Sequence, residues 1–288
     1  LGRARAAPGV RRTLAAGRYG RALIAAIVAT GLAGAARAAP EQRIVSLDQC
    51  ADQYALKLAP RAAIAALSPR ADDPDSFLRS EARGLPRTRV TLENVLAARP
   101  THVLRYWGGS PQLVRALERR GVKVHTIGDA KDLDGVESET LAAGRFLGGD
   151  AVRRATETAA ESERKRKAAA GRWRGERALY LTPGGYTSGP GTLIDAILRA
   201  AGLRNAARRA AFAPVSAERL LLEPPRLLVL GFFDTATQNG RWSPGRRFER
   251  LSFARERTAA SLPGSMLGCP AWFAADAALR LGREAPAR

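Results

Sequence analysis

One stretch of sequence occurs twice, and no single-lobed arrangement accounts for it easily. Thr91 to Leu104 reads TLENVLAARPTHVL, a short helix, a stop at Pro100 and then a buried strand. Far downstream, Val215 to Leu230 reads VSAERLLLEPPRLLVL with the same plan. A glutamate opens each helix, Glu93 in the first copy and Glu218 in the second. Seven positions later a proline follows, Pro100 or Pro225, and apolar strand residues come next. Two such copies predict two similar halves, each showing one acid at an equivalent place.

The segments between the copies predict an α/β chain. Arg43–Leu47 is a short β-rich run, and Asp48 is placed to cap a helix over Gln49–Leu58. Ala62–Leu67 reads as a second strand, followed by a turn-rich SPRADDPDSF. Pro111 opens a further helix, Gly121 ends it, and Val122–Ile127 is the next strand. This β-α-β alternation predicts parallel, doubly wound sheets. From Asp150 to about Arg174 the chain is charged, alanine-rich and free of proline, a pattern expected of one long helix connecting the halves. Arg177–Leu181 then starts the second half, and TPGGYTSGPGT reads as a loop before the helix that Thr192 caps. That loop lacks the Lys-Ser/Thr pair of a phosphate-binding P-loop, and its serine is one place late for a nucleophile elbow. A last helix is expected from Ala271 to Leu281.

At 288 residues the chain is long enough for two modest lobes, each with a core. The formal net charge is +20. Residues 1–38 contribute seven arginines and no acid, and the remaining basic residues are spread along the predicted helices with one tight cluster near Arg164–Lys167. Such scatter argues against a nucleic-acid partner, which calls for a basic stripe or a known module. The amino-terminal arginines precede an apolar run, Ala22 to Ala36, and the small-x-small triplet Ala36-Arg37-Ala38. That order predicts an export signal cleaved after Ala38, with a retained amphipathic anchor as the alternative. In an exported chain Cys50 and Cys269 can pair, and two buried free thiols are the other outcome. His102 and His125 are the only histidines, a poor supply for a metal centre or for a general base.

In order and spacing these residues resemble the periplasmic substrate-binding proteins of ABC importers for cobalamin, ferric siderophores and haem. The resemblance runs from about Arg43 to Leu281. It rests on the RIVSL opening, on Leu92-Glu93-Asn94-Val95 through Pro100-Thr101-His102-Val103, on Thr187 to Ala207, and on Val215-Ser216-Ala217-Glu218. The chain departs from the family pattern at Thr101-His102, where Asp-Leu is usual, and at Asp48 to Asp52, where Thr-Glu often appears. The resemblance implies two Rossmann-like α/β lobes with central parallel sheets, a long connecting helix (the class III, helical-backbone type) and a ligand cleft between the lobes. The boundaries it suggests are a signal peptide at 1–38, lobes at 39–149 and 175–288, and the connecting helix at 150–174.

It further implies a periplasmic, monomeric binding protein with no catalysis and no cofactor of its own. A metal-organic ligand and the permease subunits of an importer would be its partners. Glu93 and Glu218 take the place of the family's two permease-docking glutamates. Large, partly flat ligands need aromatic faces. Tyr106, Trp107, Tyr186, Phe233, Trp242 and Trp272 all fall in or beside expected strand-end loops, with core packing as the alternative for each. Competing expectations are a two-lobed α/β enzyme and a sensor of the same fold without a transport role.

Overall fold

A computed structural model of the protein describes residue 2, residues 42–234 and residues 254–286. The expected signal segment and Trp242 lie outside the described residues. Among them no helix is long and apolar enough to cross a membrane.

Two four-stranded sheets, each wholly parallel, organise the described residues from 42 onward. The first has the order β2-β1-β3-β4, from β1 (Ile44–Ser46), β2 (Ile64–Ala66), β3 (His102–Arg105) and β4 (Lys123–Thr126). Its helices are α1 (Gln49–Leu58), α2 (Leu92–Ala97), α3 (Pro111–Glu118) and α4 (Leu133–Leu147). Each begins on a side-chain cap: Asp48, Thr91, Ser110 and Asp132 accept from backbone N–H groups of the first turn. Then α5 (Asp150–Ala169) leads to the second sheet.

That sheet has the order β10-β9-β5-β7, from β5 (Arg177–Leu181), β7 (Arg204–Asn205), β9 (Leu227–Gly231) and β10 (Thr258–Leu262). With it come α6 (Leu193–Ala200), α7 (Ala217–Leu222), the short α8 (Ala254–Arg257) and α9 (Ala274–Arg283). The two copies of the repeat become α2–β3 and α7–β9, one beside each sheet. A small antiparallel pair, β6 (Tyr186–Ser188) with β8 (Phe212–Pro214), replaces the expected loop after β5. Its partners are separated by about two dozen residues, so no local pattern announces it.

The connecting helix ends at Ala169, earlier than Arg174, because the chain turns left-handed at Gly171 and again at Arg174. At 1.5 Å per residue its 20 residues span about 30 Å. Ala151 and Ala155 enter the core of the first lobe, and Ala169 enters that of the second. Small side chains let the helices meet closely. A Cβ on Gly144 of α4 would lie 2.4 Å from the Ala155 methyl, so only glycine fits there.

After β10 the chain returns to the first lobe before it ends. Cys269 is bonded to Cys50 at the start of α1, with Cα atoms 5.3 Å apart. The Tyr54 hydroxyl donates to the Pro270 carbonyl at 2.8 Å. Trp272 meets the Tyr54 ring edge-on at 5.5 Å, and Phe273 stacks on Phe77 at 4.5 Å. From there α9 carries Ala274, Ala277, Ala278 and Leu281 into the second core. Lys165 of α5 pairs with Asp276 of α9 at 2.7 Å, which ties the two shared helices together. The final helix starts three residues later than Ala271 because Cys269–Phe273 is committed to the first core.

The first turn of α1 carries a buried carboxylate without a cation. Asp52 is fully buried and accepts from the Ser46 hydroxyl, from the Ser68 N–H at 2.8 Å and from the Ser68 hydroxyl at 2.5 Å. Burial pushes its pKa up to about 6, against the lowering effect of those hydrogen bonds. A raised folded pKa means the native state holds the extra proton between about pH 4 and pH 6. Stability from this group is therefore full at the acid end and is lost as pH rises through that window. Urea titrations of wild type and Asp52→Asn should show the difference between them shifting toward the variant as pH goes from 4 to 7, by at most about 3 kcal/mol. A difference that does not change with pH would refute this account of Asp52.

Candidate functional site

Parallel strands leave their carboxyl ends free for ligands, and both sheets present those ends to a cleft between the lobes. The rim on the first lobe is the Tyr106–Gly109 turn after β3. One carboxylate, Asp48, fixes it. Its Oδ1 accepts from Cys50 N at 3.1 Å and Ala51 N at 3.0 Å, capping α1. Its Oδ2 accepts from Tyr106 N at 2.7 Å and Gly108 N at 2.8 Å. Arg105 closes the turn from the other side, donating from Nε to the Gly108 carbonyl at 2.7 Å and from Nη2 to that of Gly109 at 3.2 Å. A Cβ on Gly108 would stand 2.5 Å from the Leu47 carbonyl oxygen, so the turn needs glycine here. Clamped on both sides, it presents Trp107 at 61% exposure.

Tyr106 turns its hydroxyl to Asp129, donating to Oδ1 at 2.7 Å, and Lys131 pairs with the same carboxylate. Burial pushes the Tyr106 phenol up, and the hydrogen bond to Asp129 adds to the rise. Lys131 and Tyr106 hold the Asp129 carboxyl below the usual range through their hydrogen bonds. The loop carrying Asp129 is held in turn by Glu139, whose Oε2 accepts from Gly128 N at 2.8 Å.

The facing wall comes from the second lobe. Thr192 caps α6 and donates to the Gly189 carbonyl at 2.7 Å, while the Ser188 hydroxyl donates to Thr192 Oγ1 at 2.9 Å. Between the walls is a cavity of about 230 Å³, bounded by Tyr106, Asp129 and Lys131 on one side and Ser188, Thr192 and Ile194 on the other. The returning segment Met266–Pro270 forms its floor, next to the disulfide. Beyond it the β6–β8 pair displays Tyr186 and Phe212, 37% and 54% exposed, with rings parallel and 5.0 Å apart.

The candidates therefore separate. Tyr106 lines the cleft, Trp107 stands on its rim turn and Tyr186 lies on the exposed β6–β8 pair. Phe233 is half-buried just past the carboxyl end of β9. Trp272 must be corrected: it is 5% exposed and packs between Tyr54 and Phe273, so it is core and no ligand face. The neighbouring disulfide draws it inward. Glu93 and Glu218 are both exposed in the first turns of α2 and α7. Ser216 donates to Glu218 at 2.5 Å and lowers its pKa.

Several residues escaped sequence reasoning. Phe212 depends on a pairing that sequence does not reveal. Asp129 and Lys131 had only their position after a strand to mark them. Asp48 was legible as a cap, and its second set of bonds was not. Neither His102 nor His125 borders the cleft cavity. Both lie against Phe146, at 5.3 and 5.1 Å, and burial lowers the pKa of each. Among the described residues no group of three or more His, Cys, Asp or Glu side chains is arranged to hold a metal ion.

No family profile and no curated protein matches the sequence. Solved structures do match the fold. The haem-binding protein RhuT from Roseiflexus sp. RS-1 superposes with a TM-score of 0.66 at 22% identity, over 85% of this chain and 100% of that one. The periplasmic haem-binding protein HutB of Vibrio cholerae gives 0.66 at 17%, covering 84% and 98%. The vitamin B12 binding protein BtuF of the same organism gives 0.61 at 20%, covering 85% and 96%. Two parallel sheets, an alanine-lined connecting helix and a cleft at the strand ends thus give this chain the two-lobed α/β fold of periplasmic substrate-binding proteins.

Proposed function

We propose that the protein is the exported binding component of an ABC importer, capturing a metal-organic complex of the cobalamin, ferric siderophore or haem class. The observation that carries this reading is the clamped aromatic rim over the interlobe cavity. A volume of about 230 Å³ holds only one edge of so large a ligand. The rest of its face would lie outward, where Trp107 and the parallel Tyr186–Phe212 pair offer flat apolar surface. Tyr106 is committed to Asp129 and its phenol is pushed up, which suits it to donate a hydrogen bond and not to serve as a phenolate. The similar structures are named for haem and vitamin B12, which supports the same ligand class.

Delivery is the second half of the proposal. Glu93 and Glu218 stand exposed at the same place in the two copies of the repeat. One carboxylate per lobe, each meeting a cation on a permease, lets the partner gauge the spacing between lobes. The twofold plan of the chain puts each acid in the first turn of its helix.

Three measurements test the reading. Titration with cobalamin, haem and a panel of ferric siderophores should show saturable one-to-one binding of one compound, reported by quenching of Trp107. No binding by folded protein across the panel would count against the ligand class. Gly108→Ala should weaken that binding roughly tenfold by displacing the rim turn, with the cleft otherwise intact. Glu93→Ala combined with Glu218→Ala should leave ligand affinity within about twofold while weakening association with the permease. Loss of ligand affinity with docking preserved would reverse the assignment of the two acids.

A further inference from the structure

Arginine is gathered at one place that the cleft does not use. At the amino-terminal ends of the second sheet's strands, opposite the cleft, stand Arg172, Arg174, Arg177, Arg204, Arg226 and Arg283. All six are exposed. Arg177 and Arg204 are register partners on β5 and β7, a direct opposition of like charges that disfavours the pairing. Arg283 follows from its place in the last turn of α9, where a helix end favours a cation. That leaves five without such a reason.

Four of them, Arg172, Arg174, Arg226 and Arg283, line a groove of about 740 Å³ whose acid is Glu176. Glu176 is already taken by Arg226 at 3.2 Å. Among the described residues no carboxylate pairs with Arg172, Arg174 or Arg283. The turn that carries the first two is pinned. Trp173 is buried between them, its indole N–H donating to the Leu281 carbonyl at 2.8 Å and its backbone N–H to that of Ala201 at 3.1 Å. With Trp173 anchored inward, its two neighbours are held outward. Arg174 adopts φ 50°, a conformation that glycine or asparagine takes more readily. An arginine kept there, beside other unpaired arginines, is costly in a free protein.

We propose that this groove binds a multiply charged phosphorylated anion. Guanidinium forks match phosphate oxygens bidentately and keep their charge at any working pH. The local excess of positive charge calls for a ligand with at least three negative charges in a small volume, which a phosphate chain supplies. A concave site of this size also fits a discrete ligand better than a flat anionic surface.

Calorimetric titration of the protein with sodium triphosphate in 150 mM sodium chloride tests this, with phosphatidylglycerol-containing vesicles in a parallel arm. One-to-one binding of free triphosphate is expected, weakened at least tenfold in Arg172→Gln/Arg283→Gln. Arg174→Gln/Arg226→Gln gives a second, independent pair with the same expected loss. Arg115→Gln/Arg119→Gln, on α3 and at its carboxyl-terminal cap, removes equal charge elsewhere and should change nothing. Absent binding, a stoichiometry above one, equal loss in the control pair, or binding to vesicles alone would each overturn the proposal. The experiment is independent of any cleft ligand, so its failure leaves the transport reading untouched.

Discussion

The architecture depends on two segments, α5 and the closing stretch from Cys269 through α9, that each contribute side chains to both lobes. Along α5, Ala151 and Ala155 serve the first core and Ala169 the second. Along the closing segment, Trp272 and Phe273 fill the first core before Ala274 to Leu281 fill the second. Alanine costs little side-chain entropy in a helix and allows close approach, so a helix with a polar outer face still packs tightly on both sides. The Lys165–Asp276 pair fastens α5 to α9, and the indole hydrogen bond of Trp173 ties the turn after α5 to Leu281. The cleft wall is likewise built from fixed parts, with the rim turn clamped around Asp48.

The same economy is visible at the rim. One buried carboxylate satisfies four backbone N–H groups from two chain segments, which orders α1 and the Tyr106 turn together. Leaving that acid out would expose four donors in a region with little solvent. Asp52, one helical turn further on, is the contrasting case. It accepts from two serine hydroxyls and one backbone N–H where Asp48 accepts from backbone alone, and full burial without a cation leaves it easy to protonate.

Local information made much of the fold legible. The repeated helix–strand unit, the caps at Asp48 and Thr192, and the polar alanine-rich α5 all declare themselves within a few turns of sequence. What stayed hidden depends on distant partners. The β6–β8 pairing made Phe212 a surface aromatic, and the disulfide to α1 took Trp272 out of the cleft and into the core. Arginine looked evenly scattered along the chain because strand beginnings and helix ends lie far apart in sequence. Folding collects six arginines beside the starting ends of the second sheet's strands. Charge counted along a sequence is a poor guide to charge density on a surface when parallel strands align their starting residues.

The return of Cys269–Phe273 to the first lobe also sets an order of events during synthesis. A nascent chain that has emerged as far as α5 holds every strand of the first sheet, yet Tyr54 and Phe77 still lack the rings that cover them. The first lobe cannot finish until Phe273, beyond every strand of the second sheet, is available, so the two lobes mature together and not one after the other. Termination in the second lobe ahead of Cys269 would leave the first with an open core and an unpaired Cys50.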